Sequence, residues 1–257
     1  MTVVDAEAFV RADGPAKVTG SGRYTADLTL TGMLAAGLRH AEVAHARITR
    51  LDVSAARALP GVMAVLTAAD VPDVRFGPEV ADRTLFAGDV VRFEGEVVAA
   101  VAATSPEIAR QAVDAIVVEY DELPIVDDVE LAMADGSPLV HPGWQDYEVS
   151  PNTVQHPNVA SFSSIEKGDV GSAMADADIV VEQRYRSDAC HAVPIEPRAI
   201  VAQWEGATVT IWSSTQVPFS ARDGVCETLR LPANRVRVIV PHLGGGFGGK
   251  CGFHFEA

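Results

Sequence analysis

Residues 97–103, VVAAVAA, are seven consecutive apolar side chains with no alternation. A strand with one wet face alternates apolar and polar positions, so an unbroken run reads as a strand covered on both faces. It is far too short to span a bilayer. Such a strand requires a layer on each side of its sheet. The next residues supply one: Ser105, Pro106 and Glu107 give an N-cap, a first-turn proline and a carboxylate on the helix dipole. Ile108, Ala112, Ala115 and Ile116 then share a helical face, and VVEY at 117–120 reads as another strand. Strand, helix and strand within about 25 residues have the pattern of a βαβ unit.

Upstream, GMLAAGLRH (32–40) and VMAVLTA (62–68) read as strands, with Ser54 capping a short helix, SAARAL, that Pro60-Gly61 closes. Residues 70–95 form a loop rich in Asp, Pro and Gly. Periodicity is lost between 135 and 158. This divides the chain into a unit at 13–125, a connector at 126–158 and a second unit at 159–257. The second unit opens with DADIVVEQRYRSDACHA (176–192), read as a strand. AIVAQW and ATVTIWSS then pair around Glu205-Gly206. A helix follows with Val217, Ala221, Val225 and Leu229 on one stripe, and the strand RVRVIV runs directly into HLGGGFGGK.

That glycine loop is the most informative segment, because glycines let backbone amides approach a bound group closely. Gly244, Gly246 and Gly249 fit the G-x-G-x-x-G dinucleotide fingerprint, but this loop lies at the far end of the sequence rather than on an early βα turn. Residues 244–250 also fit the start of a phosphate-binding P-loop. Cys251 stands where that motif needs a hydroxyl for Mg²⁺, which counts strongly against it. A plain glycine linker is the remaining reading.

The formal charge of -15, from 35 acidic and 20 basic side chains, is the wrong sign for neutralising phosphates and argues against nonspecific nucleic-acid binding. The N-terminus carries no basic region followed by an apolar stretch, so no secretory signal is expected. Three cysteines, Cys190, Cys226 and Cys251, form no CxxC pair and suit reduced thiols in a cytoplasm. Cys190-His191 and Cys251 with His254 are two-residue pairs, poor candidates for zinc.

Together these segments resemble a known family. GGGFGGK after RVRVIVPHL is similar to the glycine-rich cofactor loop of molybdenum hydroxylases of the xanthine dehydrogenase/aldehyde oxidase type. WSSTQVPFSARDGVCETLRLPANRVRVIV and ACHAVPIEPRAIVA resemble the segments that precede it. RADGPAKVTGSGRYTADLTLTGMLAAGLRH, AHARITRLDVSAARALPGV and FEGEVVAAVAATSPEIARQAVDAIVVEYDELP resemble the family's α/β hammerhead domain. These stretches stand in the family's order. The resemblance implies an α+β fold: a hammerhead domain at 13–125 and, from 159, the beginning of a molybdenum-cofactor-binding domain.

It further implies a reaction that hydroxylates a carbon of an aldehyde or N-heterocycle with oxygen from water. The cofactor implied is molybdenum-molybdopterin, in its cytosine dinucleotide form, with no direct metal ligand from the protein. By the same resemblance Gln216 is catalytic and cofactor-binding, its amide approaching the metal's oxo ligand, and Gly246, Phe247 and Gly248 pack against the metal centre. The reading of Gln216 from residues alone is a cap or surface residue of the following helix. Purine-oxidising relatives carry a glutamate where Cys251 stands, so Cys251 is a substrate-pocket candidate and a xanthine-type substrate is disfavoured; otherwise it is a small helix-start residue. Glu196-Pro197-Arg198 reads as a strand-end turn rather than a catalytic acid, with substrate-channel lining as the lesser alternative.

No iron–sulfur cysteine pattern or flavin site occurs in the sequence. The implied partners are an iron–sulfur subunit, a FAD-binding subunit and the remaining C-terminal part of the large subunit, which carries the family's general base; this chain alone is expected to be inactive. Two other readings stand beside this one: a nicotinamide-dependent dehydrogenase using the G-x-G-x-x-G match, and a non-catalytic assembly module.

Overall fold

A computed structural model describes residues 11–77, 79–150, 157–162 and 164–251. The helix expected after Cys251 and His254 of the candidate pair lie outside them, as do six residues of the expected connector. Among the described residues no helix is long and apolar enough to cross a membrane.

The chain separates into two compact units. One comprises residues up to 76, 83–125 and 192 onward. It begins with a short helix α1 (Gly14–Val18), then strands β1 (Ala35–His40) and β2 (Ala46–Asp52), helix α2 (Ser54–Ala58) and β3 (Val62–Thr67). β4 (Val90–Val91), β5 (Val97–Ala103), α3 (Pro106–Asp114) and β6 (Val117–Glu122) follow. Two three-stranded antiparallel sheets result, in the orders β1-β5-β3 and β4-β2-β6.

The unalternating apolar run is β5, at the centre of the first sheet. Ala99, Val101 and Ala103 face one core with Ala109, Ala112 and Ile116, from α3 and the residues just after it. Val98 faces another with Ala41, Ala87 and Val91. Both faces are therefore covered, which is why no polar residue interrupts the run. The Ser105 hydroxyl accepts the Ile108 amide at 3.2 Å, as its position before Pro106 predicts. Gly37 lets α3 approach β1: a Cβ there would lie 2.8 Å from Val113 Cγ2.

Two expectations need correction here. The β5-α3-β6 segment is not a βαβ unit, because β6 pairs antiparallel with β2 in the other sheet rather than parallel in the sheet of β5. Spacing alone does not say which sheet receives the second strand. Ser54 is also not the cap of α2. Its amide and hydroxyl both donate to Asp52, at 3.0 and 2.6 Å, and these bonds pull the Asp52 carboxyl below the usual range.

The second unit comprises residues 77–82 and 126–191. Its regular elements are two short helices, α4 (Val129–Ala132) and α5 (Val170–Ala175), capped by Asp128 and Asp169. The expected strand at 176–192 is absent. That stretch is exposed and irregular, with Ile179 and Val181 largely solvent-facing. Apolar alternation marks a face to be buried, but a strand forms only where a neighbour completes its ladder. Among the described residues of this unit there is only an isolated bridge, Val80 to Val149.

Returning to the first unit, β7 (Ile200–Glu205) and β8 (Thr208–Ser213) form the expected hairpin around Gly206, whose φ is +61°. Helix α6 (Pro218–Leu229) then crosses to β9 (Val236–Ile239), which lies parallel to β8. The parallel crossover thus lies here, not at β5-α3-β6. The buried stripe of α6 is Ala221 and Thr228, with Val225 packed beside them on the sheet; Leu229 is exposed. Thr228 can be buried because its hydroxyl bonds the Gly224 carbonyl one turn back.

Candidate functional site

Strand directions bring three chain segments to one edge of the β7-β8-β9 sheet. β8 and β9 run parallel, so the residues after each of them emerge at the same edge. β7 runs the other way, so the residues before it arrive there too. The edge therefore collects 196–199, 214–216 and 240–250. The carboxyl ends of adjacent parallel strands are where open α/β sheets place ligands.

The loop from Gly244 to Lys250 is held from beneath by side chains of the other two segments. Glu196 Oε2 accepts the Gly244 amide at 2.7 Å and the Lys250 ammonium at 2.8 Å. Arg198 donates to the Gly249 carbonyl at 2.6 Å. Gln216 binds the loop twice over: its backbone N–H donates to Lys250 O at 3.0 Å, and its side-chain Oε1 accepts from Gly248 N at 3.0 Å and Lys250 N at 3.3 Å. Thr215 adds a bond to Lys250 O at 3.2 Å.

The glycines carry distinct loads. A Cβ on Gly244 would stand 2.5 Å from Glu196 Cβ, and one on Gly246 would stand 2.4 Å from Gln216 Cδ. These two are glycines because backbone and side chain meet there. Gly248 has no neighbour within 4 Å of such a Cβ, but its φ is +86°. Phe247 is also left-handed, with φ of +52°, a conformation that costs a non-glycine residue about 1–2 kcal/mol. Its ring lies over Gly245 and is 77% exposed. A large apolar ring held outward in a strained conformation marks a functional surface rather than a core contact.

Three consecutive amides, those of Gly245, Gly246 and Phe247, donate to no acceptor among the described residues. Gln216 Nε2 has none either, since its partners all reach Oε1 or the backbone. Successive unpaired amides form an anion-binding concavity. With Gln216 Nε2 beside them and open space over Gly248, this edge presents a cluster of donors without acceptors among the described residues. The residues fit a group that offers oxygens.

Among the residues singled out from sequence, Gln216, Gly246, Phe247 and Gly248 come together here. Gln216 is not the cap of α6: Thr215 Oγ1 accepts the Val217 amide at 3.1 Å, and the glutamine side chain turns to the loop. The Gly248 amide is taken by Gln216 Oε1, so the loop amides left without an acceptor among the described residues are the three before it. Cys251 is exposed at the loop's end. Lys250 does not behave as a P-loop lysine, because its ammonium is turned inward to Glu196 and its side chain is 1% exposed.

Sequence reading took Glu196-Pro197-Arg198 as a strand-end turn and gave neither Thr215 nor Lys250 a place in the site. The signal for the ion pair was a Glu shortly before one strand and a Lys closing the loop that follows another, both destined for the same sheet edge. Among the described residues no group of three or more His, Cys, Asp or Glu could hold a metal ion.

The profile of the aldehyde oxidase and xanthine dehydrogenase a/b hammerhead domain matches residues 19–124, and that of the molybdopterin cofactor-binding domain matches 152–257. The chain belongs to the xanthine dehydrogenase/aldehyde oxidase family of molybdenum hydroxylases.

It is 37% identical over 94% of its length to the nicotinate dehydrogenase large molybdopterin subunit of Eubacterium barkeri, covering 54% of that protein. It is 33% identical over 94% of its length to the xanthine dehydrogenase molybdenum-binding subunit of Escherichia coli O157:H7, covering 32%. The crystal structure of quinoline 2-oxidoreductase from Pseudomonas putida 86 superposes with a TM-score of 0.82 at 35% identity. That match covers 96% of this chain and 31% of the other. The chain thus spans about half or less of the family members it matches. Its α+β architecture, a hammerhead domain followed by the start of a cofactor-binding domain, is that of the family.

Proposed function

We propose that this chain forms one wall of the molybdenum-molybdopterin site of a hydroxylase large subunit. The observation that carries the reading is the set of donors at the sheet edge: the amides of Gly245, Gly246 and Phe247 with Gln216 Nε2, all without acceptors among the described residues. When bound, the cofactor supplies the oxygen-transfer and two-electron chemistry. The chain supplies orientation and electrostatics.

Gln216 Nε2 would hold the bound group by donating to it, and the loop amides would offer further donors to its oxygens. Donors fixed in advance and aimed at developing negative charge are an effective catalytic device. Here the fixing is visible, since Oε1 of the same glutamine is tied to two loop amides. Phe247 closes one side of the site against water. Cys251 borders the substrate pocket. Where purine-oxidising relatives have a glutamate, a thiol offers no strong acceptor for a polar heterocycle, so the substrate is an aldehyde or a less polar N-heterocycle.

The complete enzyme hydroxylates that carbon with water as oxygen source and passes electrons to iron–sulfur and FAD subunits. The cofactor carries a cytosine dinucleotide, and the enzyme is cytoplasmic, in keeping with three cysteines that form no disulfide. Metal, nucleotide and NAD analysis of the purified, coexpressed complex tests this. Stoichiometric molybdenum with released cytidine nucleotide is expected. Bound NAD without molybdenum would favour a dinucleotide enzyme, and neither would favour an assembly module.

A further inference from the structure

The Glu196–Lys250 pair is the most buried charged contact among the described residues, with side chains 7% and 1% exposed. Stability alone explains it poorly. A buried ion pair is often no better than apolar residues of similar size, because desolvation offsets the attraction. This pair is worse placed than most, since Glu196 Oε1 is buried with no partner among the described residues.

Its geometry suggests a different gain. Glu196 Oε2 is bonded at once to the amide of Gly244 and the ammonium of Lys250, the first and last residues of the loop. The Gly244 carbonyl also accepts the Glu196 amide at 3.3 Å. One carboxylate oxygen therefore fixes both ends of a seven-residue loop whose three unpaired amides lie between them. The missing Cβ of Gly244 is what allows the approach.

We propose that Glu196 and Lys250 are positioning residues: the buried pair clamps the ends of the glycine loop and sets the register in which its unpaired amides meet the cofactor. The direction toward the cofactor rests on the function proposed above; the clamp itself does not. Neither residue touches the bound group, and Lys250 acts from beneath through the backbone it carries.

The test compares Lys250→Met, Glu196→Met and the double variant in the complete large subunit, assembled with its partners. Three quantities are read: melting temperature, hydrogen exchange of peptides spanning 244–251, and molybdenum per subunit. Lys250→Met alone leaves a buried carboxylate without its counter-charge, so it should melt lowest. The double variant should recover most of the melting temperature, because two apolar side chains of similar length replace the pair.

In that recovered protein the loop should nonetheless exchange roughly 10- to 100-fold faster, the loss expected for hydrogen bonds to a charged group. Molybdenum content should fall with it. A well-folded double variant with parental loop exchange overturns the clamp. Faster exchange with undiminished molybdenum overturns its role toward the cofactor. A parent subunit that never holds molybdenum would sink the proposed function instead, leaving exchange to decide the clamp by itself. Should the double variant not fold, Glu196→Gln keeps an acceptor for Gly244 but removes the charge. It should loosen the loop to a lesser degree, and parental exchange there overturns the clamp equally.

Discussion

Replacing Gly246 by alanine probes the contact between the loop and Gln216 at its closest point. The new Cβ would fall 2.4 Å from both Cδ and Oε1 of Gln216, closer than non-bonded atoms approach. Gly246 does not have a positive φ, so alanine brings no backbone strain of its own. The relief available is for the glutamine side chain, which is flexible and exposed, to swing away. In doing so it gives up the bonds from Gly248 N and Lys250 N.

Two neutral hydrogen bonds at about 1 kcal/mol each amount to about 2 kcal/mol of local opening, or roughly 30-fold faster exchange of those two amides. Global melting should change little, because the core clusters of the hammerhead sheets do not include this edge. Gly248→Ala is the control. Its cost is the left-handed φ, about 1–2 kcal/mol, with no displaced side chain. Exchange measured by mass spectrometry with residue-level fragmentation separates the two. Parental exchange at Gly248 and Lys250 in Gly246→Ala would refute the contact geometry on which the site rests.

Other outcomes follow from the same structure. Gln216→Ala should cut turnover per molybdenum about 10²–10³-fold, the usual loss for one preorganised donor; full metal with unchanged turnover would remove its assigned role. Burial raises the Glu96 carboxyl above the usual range despite the Arg92 amide at 2.7 Å and the nearby Arg92 and His45 charges. The folded state therefore binds this proton more tightly than the unfolded state, and stability falls as pH rises from the ordinary glutamate value through the raised one. Glu96→Gln keeps the acceptor for Arg92 and should melt above the parent at neutral pH but level with it in acid; the reverse order would contradict the burial argument. Limited proteolysis should cut first within 126–158; first cuts inside β5 or α3 would contradict the proposed connector.

The sequence was most legible where a local rule and a tertiary need coincide. VVAAVAA could only be a strand covered on both faces, and Ser105-Pro106-Glu107 could only begin a helix. The glycine loop and Gln216 were legible because motif order, not composition, pointed to them. What stayed hidden was partnership. Nothing local distinguishes β6 joining the sheet of β2 from β6 joining that of β5. Nothing in DADIVVEQRYRSDACHA says whether a neighbouring strand completes it. Glu196 and Lys250 stand 54 positions apart in the chain, and their pairing follows only from the directions of β7 and β9. Once those directions are known, the converging edge, the buried pair and the unpaired amides follow together.

The central claim is that this edge faces the metal cofactor. Anomalous scattering at the molybdenum edge, from crystals of the complete large subunit, tests it most directly. The account predicts a single strong peak beside Gln216 Nε2, on the side toward which the amides of Gly245, Gly246 and Phe247 point. A molybdenum peak remote from residues 244–251, with those amides facing solvent or another part of the subunit, would contradict it.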